Sequence, residues 1–439
     1  MESNSAANGD CANRFCAVTI LSLVALLFAA IASAESRHPF NVSQIGEIIA
    51  TIEMSSPGAD WAKSGAEAAV AAISLNGKLH QHVILHAGGA THKYRVSLGS
   101  LNPGQHELTI VRDALHSAPQ AQLKVAFIRM EEISTSHPEY DVQANAPVLF
   151  ARLNTVGKFS DVPLLLYCER LKESGEGILQ YTVIFSNEDG GTSTRTLMGR
   201  WGRTTDIEYV YKRFLKTGTA TVQGPNHVEV EFTGERERAH PLLMPVTNNN
   251  MIAAAKDSPL QFRLAPVVVD LTTASREQVM DQHPVIYAVM AKELVREGKL
   301  RPFGVVAGEK ISDPRNYLYV DYSATLTNSA LTVSVRTKDG ATFASDLGRP
   351  EIAISRSGHV RTTIELPPAT IPTGIAALQF DCRLAPPPKN EPAAHSGSCM
   401  LDGVTKVFQL RDDYSPGKSF GWRKESVTLP TGRGMSFAQ

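Results

Sequence analysis

The sequence predicts a mostly β-structured protein in which a mixed α+β central domain lies between two β-sandwich domains. Short apolar and alternating segments recur at regular spacing over residues 42–133 and again over 311–410, each bounded by Gly, Pro, Asn or Asp. A clear helical spacing of apolar residues occurs over 275–298. With 439 residues, the chain is also longer than one hydrophobic core usually organises.

The first domain is predicted over residues 38–136 as a β-sandwich. An Asn-Gly pair at 76–77 favours a type I′ hairpin, and Asn-Pro-Gly at 102–104 favours another tight turn. From the second turn the chain enters alternating apolar and polar residues, and the stretch resembles an immunoglobulin-like or related β-sandwich, an architecture that names no ligand. The predicted strands are 45–53, 68–75, 81–85, 92–98, 106–112 and 122–131.

The central domain is predicted over residues 137–305 and mixes strands with a helix. Ser275 and Gln278 form a capping-box start, apolar residues follow at helical spacing, and Gly298 is a natural stop. Pro284 fits a first helical turn, so we expect the helix to restart there with Asp281 as its cap. The predicted strands are 146–151, 162–168, 178–185, 207–211, 228–232 and 262–269.

The third domain is predicted over residues 306–415 as a second β-sandwich, followed by a polar tail at 416–439. Cys382 and Cys399 flank a segment rich in Pro, Ala, Ser and Gly. We expect a disulfide between them, because it would close this loop and restrict the unfolded chain. Cys168 lies in an apolar run and is expected to be a buried free thiol.

Residues 17–34 form an uncharged apolar segment that ends in Ala-Ser-Ala. Signal peptidase recognises such small residues, so residues 1–34 are predicted to be a signal peptide. Arg14 alone supplies positive charge ahead of the run, and the run is long enough to leave an N-terminal membrane anchor as the alternative. The folded part is therefore predicted to be extracytoplasmic, either secreted or periplasmic, or held at the membrane by residues 17–34.

The charge balance argues against a nucleic-acid partner. Lys and Arg total 43 against 44 for Asp and Glu, so no global positive field attracts a polyanion. Apolar residues make up 43% of the chain and charged residues 20%, as in ordinary folded proteins. The expected partner is an extracytoplasmic ligand, a glycan or a protein, with membrane contact through the N-terminal segment only.

The densest polar cluster spans residues 186–195. Asn187, Glu188 and Asp189 precede two glycines and offer oxygen ligands on a backbone that can turn sharply, as a calcium site needs. The alternating Asp/Asn spacing of an EF-hand loop is absent, so a solvated turn that caps its own backbone is the alternative. No cofactor is expected apart from this calcium candidate.

Arg200, Trp201 and Arg203 place two guanidinium groups around an aromatic face, an arrangement that can stack a sugar ring or clamp a carboxylate or phosphate. Together with Arg195 and Asn249, they are predicted to form the ligand-contact surface. The alternative is that Trp201 anchors the core while the arginines pair with the two carboxylates that follow them.

Those carboxylates, Asp206 and Glu208, lie two residues apart, so on a strand they share one face and can form a pair for acid and base chemistry. Glycosidases use two carboxyl groups in this way. His240 offers a base, although beside a proline a packed, hydrogen-bonded histidine is the alternative. The sequence contains no HExxH, GxSxG or Walker signature.

In the absence of a catalytic signature, the sequence predicts an exported, envelope-associated or secreted binding protein for a carbohydrate or a protein. The alternative is a secreted hydrolase of glycan or another polymer, with the central domain as catalytic unit. In that case the catalytic residues would be Asp206, Glu208 and His240. Their side chains would have to converge with that of Arg200 in one cleft.

Overall fold

A computed structural model describes residues 35–438, apart from residues 174, 189, 306, 371, 388–391, 393 and 421–425. The predicted signal peptide or anchor, residues 1–34, lies outside the described residues. Within these residues no helix combines the length and the apolar character needed to cross a membrane. The described chain is mostly β-structured, as the sequence predicts, and its strands form several sheets. The immunoglobulin-like topology and the domain boundaries stay predictions.

The first two sheets use residues 36–134 and run in the orders β1-β6-β3-β4 and β5-β2-β7, with antiparallel neighbours. Apolar side chains from both sheets form one core, as alternating strands require. In the β3–β4 turn, Asn76 and Gly77 have φ of 51° and 76°, the positive values that the predicted type I′ turn needs. The strands are β1 (Ser36–Val42), β2 (Gly46–Ser55), β3 (Val70–Leu75), β4 (Lys78–Ile84), β5 (His92–Leu101), β6 (Gly104–Arg112) and β7 (Lys124–Ser134).

The central region contains a sheet of order β13-β12-β11-β10-β9-β18 and a second of order β14-β15-β8-β17, in which β16 also pairs with β15. Strands β9 and β10 are apolar runs whose side chains enter the largest core, together with those of the helices. The elements are α1 (Tyr140–Ala144), β8 (Val148–Phe150), β9 (Pro163–Glu173), β10 (Glu176–Phe185), α2 (Thr194–Trp201), β11 (Asp206–Phe214), β12 (Ala220–Gly224), β13 (Val228–Glu231), β14 (Arg236–Glu237), β15 (His240–Pro245), β16 (Ile252–Ala254), β17 (Gln261–Phe262), β18 (Val267–Val269), α3 (Gln278–Gln282) and α4 (Val285–Arg296).

The predicted helix forms in two pieces, α3 and α4. His283 between them has φ of −127° and ψ of 65°, a non-helical conformation that a following proline favours. Pro284 then occupies the N-cap position of α4, and Gly298 lies just beyond the C-terminal end with φ of 63°. The expectation that Asp281 caps α4 is wrong, because its carboxylate instead accepts hydrogen bonds from Arg361 at 3.0 and 2.8 Å.

An eight-residue helix, α2, follows the polar cluster, where the sequence suggests a turn between strands. The Ser193 side chain caps it by accepting from the Thr196 amide at 3.3 Å. Gly202 ends it in the left-handed conformation, with φ of 66°. These two caps fix the length of the helix and place Trp201 at its last position.

The C-terminal region contains sheets of order β22-β19-β24-β25 and β21-β20-β23-β26, which share a core. Residues 427–438 fall in the predicted polar tail, and they form one strand in each sheet. The strands are β19 (Tyr317–Thr327), β20 (Ser329–Thr337), β21 (Thr342–Ala344), β22 (Gly358–Glu365), β23 (Ile375–Leu384), β24 (Ser398–Phe408), β25 (Val427–Pro430) and β26 (Arg433–Ala438). Short 3-10 turns occur at Leu153–Thr155, Pro225–His227, Pro314–Asn316, Pro350–Ile352 and Pro372–Gly374.

The cysteines of the described chain follow the sequence prediction. Cys382 at the end of β23 and Cys399 at the start of β24 form a disulfide, with their Cα atoms 5.9 Å apart. Cys168 in β9 is free and buried. The disulfide closes the base of the Pro-rich loop that connects these two strands.

Helix α2 is attached to strand β22 of the C-terminal region. The Thr362 and Thr363 hydroxyls donate to the carbonyls of Gly199 and Met198 at 2.6 and 2.7 Å. Gly199 is required for this approach, because a Cβ there would lie 2.6 Å from the Ile352 side chain. The last turn of α2 therefore packs directly against the C-terminal sheets.

Candidate functional site

Two polar cavities meet at Trp201, and we call them together the central cleft. One has a volume of about 340 Å³ and the other of about 360 Å³, and Trp201 and Arg276 line both. The first cavity is lined by Glu188, Trp201, Arg203, Glu208, Gln223, His227, Asn249 and Arg276, among others. The second includes Glu169, Thr182, Trp201, Tyr209, Arg276, Glu277, Arg356 and His359.

Strand β11 supplies the predicted pair of carboxyl groups. Asp206 is fully buried, and its Oδ2 accepts a hydrogen bond from Asn250 Nδ2 at 2.9 Å. Its Oδ1 has no hydrogen-bond partner among the described residues. Burial, and then the charge of Glu208, raises the pKa of Asp206 to about 7. Asp206 therefore holds a proton up to near-neutral pH.

Glu208 lines the cleft, with 11% of its side chain exposed. Burial raises the pKa of Glu208, although the charges of Arg276 and Arg203 oppose the shift. Its side chain is hydrogen-bonded to Gln223. The two carboxyl groups therefore differ in position: Glu208 contacts the cavity, and Asp206 lies in the protein interior.

Two arginines converge on the buried carboxylate of Glu277. The Nε atoms of Arg203 and Arg276 lie 3.6 and 3.5 Å from the same Glu277 oxygen. Arg203 also donates to the Thr205 carbonyl, and Arg276 donates to the Ile207 carbonyl at 2.7 Å. Both guanidinium groups are therefore held in place at the start of β11. Their positive charges there favour the ionised forms of Asp206 and Glu208.

Trp201 is half-buried and surrounded by guanidinium groups. The central carbons of Arg200, Arg203 and Arg356 lie 5.9, 5.8 and 5.2 Å from its ring centroid, within the range of cation–π attraction. Burial lowers the pKa of Arg356 to about 10. These contacts fix the orientation of the indole while part of it still faces the cleft.

Amide and imidazole groups line the opposite wall. Gln223 Nε2 lies 2.7 Å from His227 Nδ1, and Asn249 Nδ2 lies 3.4 Å from His227 Nε2. Gly190 makes this wall possible, because a Cβ at that position would lie only 2.2 Å from the Cβ of Asn249. The segment after β10 and the segment after β15 therefore meet at Gly190 and Asn249.

Several predicted ligand-contact residues come together here, and others do not. Trp201, Arg203 and Asn249 line the cleft. Arg200 instead donates to the Glu351 carbonyl in the C-terminal region. Arg195, in the first turn of α2, is not part of the lining, and its charge acts on Glu309.

His240 lies elsewhere. It lines a separate cavity of about 480 Å³. Its Nδ1 is 2.8 Å from the Ala146 carbonyl oxygen, and its Nε2 is 3.4 Å from the Glu47 carboxylate. The four side chains that the hydrolase hypothesis requires therefore do not converge in one cleft.

The proposed calcium ligands also separate. Asn187 is buried, and its Oδ1 accepts hydrogen bonds from the Asp161 amide at 2.9 Å and from the Ser186 hydroxyl at 2.7 Å. Glu188 faces the central cleft, and Asp189 lies outside the described residues. The part of the chain that the structure describes contains no group of three or more His, Cys, Asp or Glu residues suited to a metal ion.

Much of the cleft wall is formed by residues that the sequence did not single out: Gln223, Arg276, Glu277, Arg356 and His359. Arg276 and Glu277 lie inside the capping-box motif, which drew attention only to helix initiation. Two adjacent charged residues of opposite sign ahead of an apolar helix are a signal that could have marked them.

No protein-family model and no curated protein matches the chain. Among solved structures, the chain is similar to the C-terminal domain of EclA, a sugar-binding protein, with 13% identity and a TM-score of 0.18. This match covers 22% of the present chain and 65% of the other, less than two thirds of its length. The apo form of Pleurotus ostreatus lectin matches with 9% identity and a TM-score of 0.13, over 92% of this chain and 77% of the lectin. Both TM-scores are too low to support an inference about this chain.

Proposed function

We propose that the protein is an extracytoplasmic carbohydrate-binding protein and that the central cleft holds the sugar. The observation that carries the proposal is the half-exposed Trp201 ring, which borders two polar cavities whose walls combine hydrogen-bond donors and acceptors. A sugar ring presents C–H groups on its faces and hydroxyl groups at its rim. An aromatic face surrounded by planar polar side chains is complementary to both.

Shape and charge favour a glycan over a protein partner. The cleft is concave, whereas protein interfaces usually bury an extended surface with an apolar centre. Its charged residues carry both signs, with Arg203 and Arg276 facing Glu188 and Glu208. A hydroxyl group can donate to a carboxylate and accept from a guanidinium, so this wall suits a neutral polyol.

Two features support an extracytoplasmic location. The apolar segment 17–34 has the composition of an export signal or anchor. The Cys382–Cys399 disulfide is the kind of bond that persists in oxidising compartments. The proposed location is secreted or periplasmic, and attachment to the membrane through residues 17–34 is the alternative.

A second candidate function is hydrolysis of the bound glycan. The observation that favours it is the raised pKa of both Asp206 and Glu208, a common property of catalytic carboxyl groups. In this candidate Glu208 would contact the substrate, and Asp206 would act through Glu208 as a positioning residue. His240 would have no part, because it lines another cavity.

The test is binding of a glycan panel to the mature chain, measured for wild type and for Trp201→Ala. We expect the variant to lose at least about tenfold in affinity, because a central aromatic side chain contributes strongly to binding. Phe127→Ala is the matched control, because Phe127 is an exposed aromatic residue on β7, outside the cleft. Thermal unfolding of each variant shows whether it is folded.

The outcomes separate the candidates. Unchanged glycan affinity in folded Trp201→Ala would exclude the cleft as the binding site. Release of reducing ends by wild type, lost in Glu208→Gln with binding retained, would establish the hydrolase instead. An Asn249→Ala variant adds a second probe of the cleft that leaves the packing of α2 intact.

A further inference from the structure

A cavity of different chemistry lies at the open edge of the first two sheets. Strands β4 and β5 are the edge strands of those sheets, and the cavity of about 120 Å³ lies beside both. Its other sides are closed by residues 163–166, 262–265, 267, 283, 285 and 286. The Ser97 amide donates to the Arg263 carbonyl at 2.8 Å, and the Ala265 amide donates to the Arg95 carbonyl at 3.1 Å. The cavity therefore lies between backbone segments that are hydrogen-bonded to each other.

The deeper walls of this cavity are apolar. They include Ile84, Val96, Leu164, Leu166, Phe262 and Ile286, and each of these side chains is buried. A cavity with such walls favours an apolar occupant over water, because water would lack hydrogen-bond partners there.

The lining carries basic side chains and no acidic ones. No aspartate or glutamate occurs among the described residues that line the cavity, whereas lysine, arginine and histidine side chains do. Lys93 is paired with Glu53 at 3.7 Å, and Arg263 is paired with Glu237. The Arg95 guanidinium has neither a hydrogen bond nor an ion pair with any residue in the described part of the chain. One cation is thus left without a counter-charge.

Two histidines lie close to this arginine. Burial lowers the pKa of His283, and the charge of Arg95 lowers it further. Burial and then the charge of His283 lower the pKa of His92 in the same way. These effects place His92, His283 and Arg95 within one electrostatic neighbourhood that is deficient in negative charge.

His86 adds a buried polar atom without a partner. The residue is 4% exposed, and its Nε2 has no hydrogen-bond partner among the described residues. Its ring packs against those of His92 and Tyr94, with centroids 5.4 and 5.2 Å away. Burial lowers the pKa of His86 to about 3, so the imidazole is neutral. A buried polar atom of this kind requires a ligand or water to satisfy it.

We infer that this cavity binds a small monocarboxylate with an apolar tail. The tail fills the space between the apolar walls, and the carboxylate pairs with Arg95. An apolar cavity of about 150 Å³ accepts benzene, so 120 Å³ has room for a tail of about five carbon atoms. The site is separate from the central cleft and does not depend on the glycan-binding proposal.

The test is calorimetric titration of the full mature chain with sodium alkanoates from butanoate to decanoate. We expect affinity to rise about fourfold for each methylene group, as apolar burial predicts, until the tail fills the cavity at about hexanoate. Longer chains should gain nothing further. 1-Hexanol and hexylamine serve as probes of the same length without the negative charge, and both should bind at least about tenfold more weakly.

Two variants locate the site. Arg95→Gln should weaken hexanoate binding about tenfold, and Val285→Phe, which places a larger side chain at the half-buried rim, should abolish it. Arg129→Gln is the matched control, because Arg95 and Arg129 flank the same residue, Thr51, on opposite sides in the sheet. It should bind hexanoate as wild type does.

Three results would overturn the inference: no binding of any alkanoate, equal binding of hexanol, or equal loss in Arg95→Gln and Arg129→Gln. The alkanoate series uses wild type alone, so it remains decisive even where a variant fails to fold. Failure here is distinguishable from failure of the glycan proposal. Arg95→Gln should keep its glycan affinity, and Trp201→Ala should keep its hexanoate affinity.

Discussion

Arg361 on β22 donates two hydrogen bonds to the Asp281 carboxylate in α3, from Nη1 to Oδ1 at 3.0 Å and from Nη2 to Oδ2 at 2.8 Å. The same guanidinium contacts Asp321 on β19 at 2.5 and 2.8 Å, and it donates to the Tyr287 hydroxyl at 2.6 Å. Arg361 is fully buried. A single side chain thus joins the central helices to the C-terminal sheets by charge-assisted hydrogen bonds.

We predict that Arg361→Gln lowers the free energy of unfolding by about 3 to 5 kcal/mol, because it leaves Asp321 buried without its ion-pair partner and leaves Asp281 with Lys406 as its remaining cation. Urea denaturation measures the change. The substitution Arg129→Gln replaces an exposed arginine on β7. It should change the free energy of unfolding by less than about 0.5 kcal/mol. Similar effects of the two substitutions would show that the buried contacts of Arg361 do not stabilise the fold.

Asp206 should make the stability of the protein depend on pH. Its pKa in the folded state, about 7, lies above the ordinary aspartate value of 3.8, so folding favours the protonated form. The contribution of Asp206 to the free energy of unfolding therefore falls as pH rises from about 4 to about 7, by up to about 4 kcal/mol. The side chain that replaces the carboxyl group in the Asp206→Asn variant cannot titrate. The free energy of unfolding of this variant, relative to that of wild type, should therefore increase through this pH window and then stay constant.

Urea denaturation at a series of pH values measures this difference. Asp257→Asn, a substitution at an exposed aspartate in the loop after β16, provides the control, and its pH profile should follow that of wild type. Parallel profiles for wild type and Asp206→Asn would contradict the assignment of a raised pKa to Asp206.

Gly190 lies so close to Asn249 that position 190 should not tolerate a side chain. We predict that Gly190→Ala costs about 1 to 3 kcal/mol of unfolding free energy and weakens glycan binding, because Asn249 must move away from the cleft. Gly89→Ala is the control, because a Cβ there meets no atom within 4 Å. An Asn249→Gly background should absorb most of the cost of Gly190→Ala, and a persistent full cost would place the clash elsewhere.

The Cys382–Cys399 disulfide should contribute about 3 kcal/mol to stability, since it closes a loop whose ends are 17 residues apart. We expect a reductant to lower the melting temperature of the wild type. A Cys382→Ala/Cys399→Ala variant should melt lower from the start and should not respond to the reductant. A wild type that melts at the same temperature with and without reductant would refute the contribution.

The strand pattern predicted the central cleft only in part. Asp206 and Glu208 could be paired from the sequence because strand alternation is a local rule, and both indeed lie on β11. Helix α2 was missed because its apolar residues are few, and only the caps Ser193 and Gly202 mark its ends. Propensity is weak evidence for such a short, polar helix.

The remaining wall of the cleft depends on contacts that no local pattern encodes. Arg276 precedes α3 and Arg356 precedes β22, and both reach the cleft because distant segments fold against β11. His240 lies outside the predicted site because closeness along the chain does not ensure closeness in space. It begins β15, which belongs to the second central sheet, so its chain proximity to β11 has no spatial counterpart.

The attachment of α2 to β22 has a consequence for how the protein responds to heat. Because Trp201 ends a helix whose last carbonyls are held by Thr362 and Thr363, the cleft cannot keep its shape once the C-terminal sheets come apart. A sugar bound at Trp201 would then stabilise the central region and the C-terminal sheets together against thermal unfolding. Saturating ligand should move the whole transition to higher temperature as one cooperative step, and residues 35–305 expressed alone should show no such ligand response.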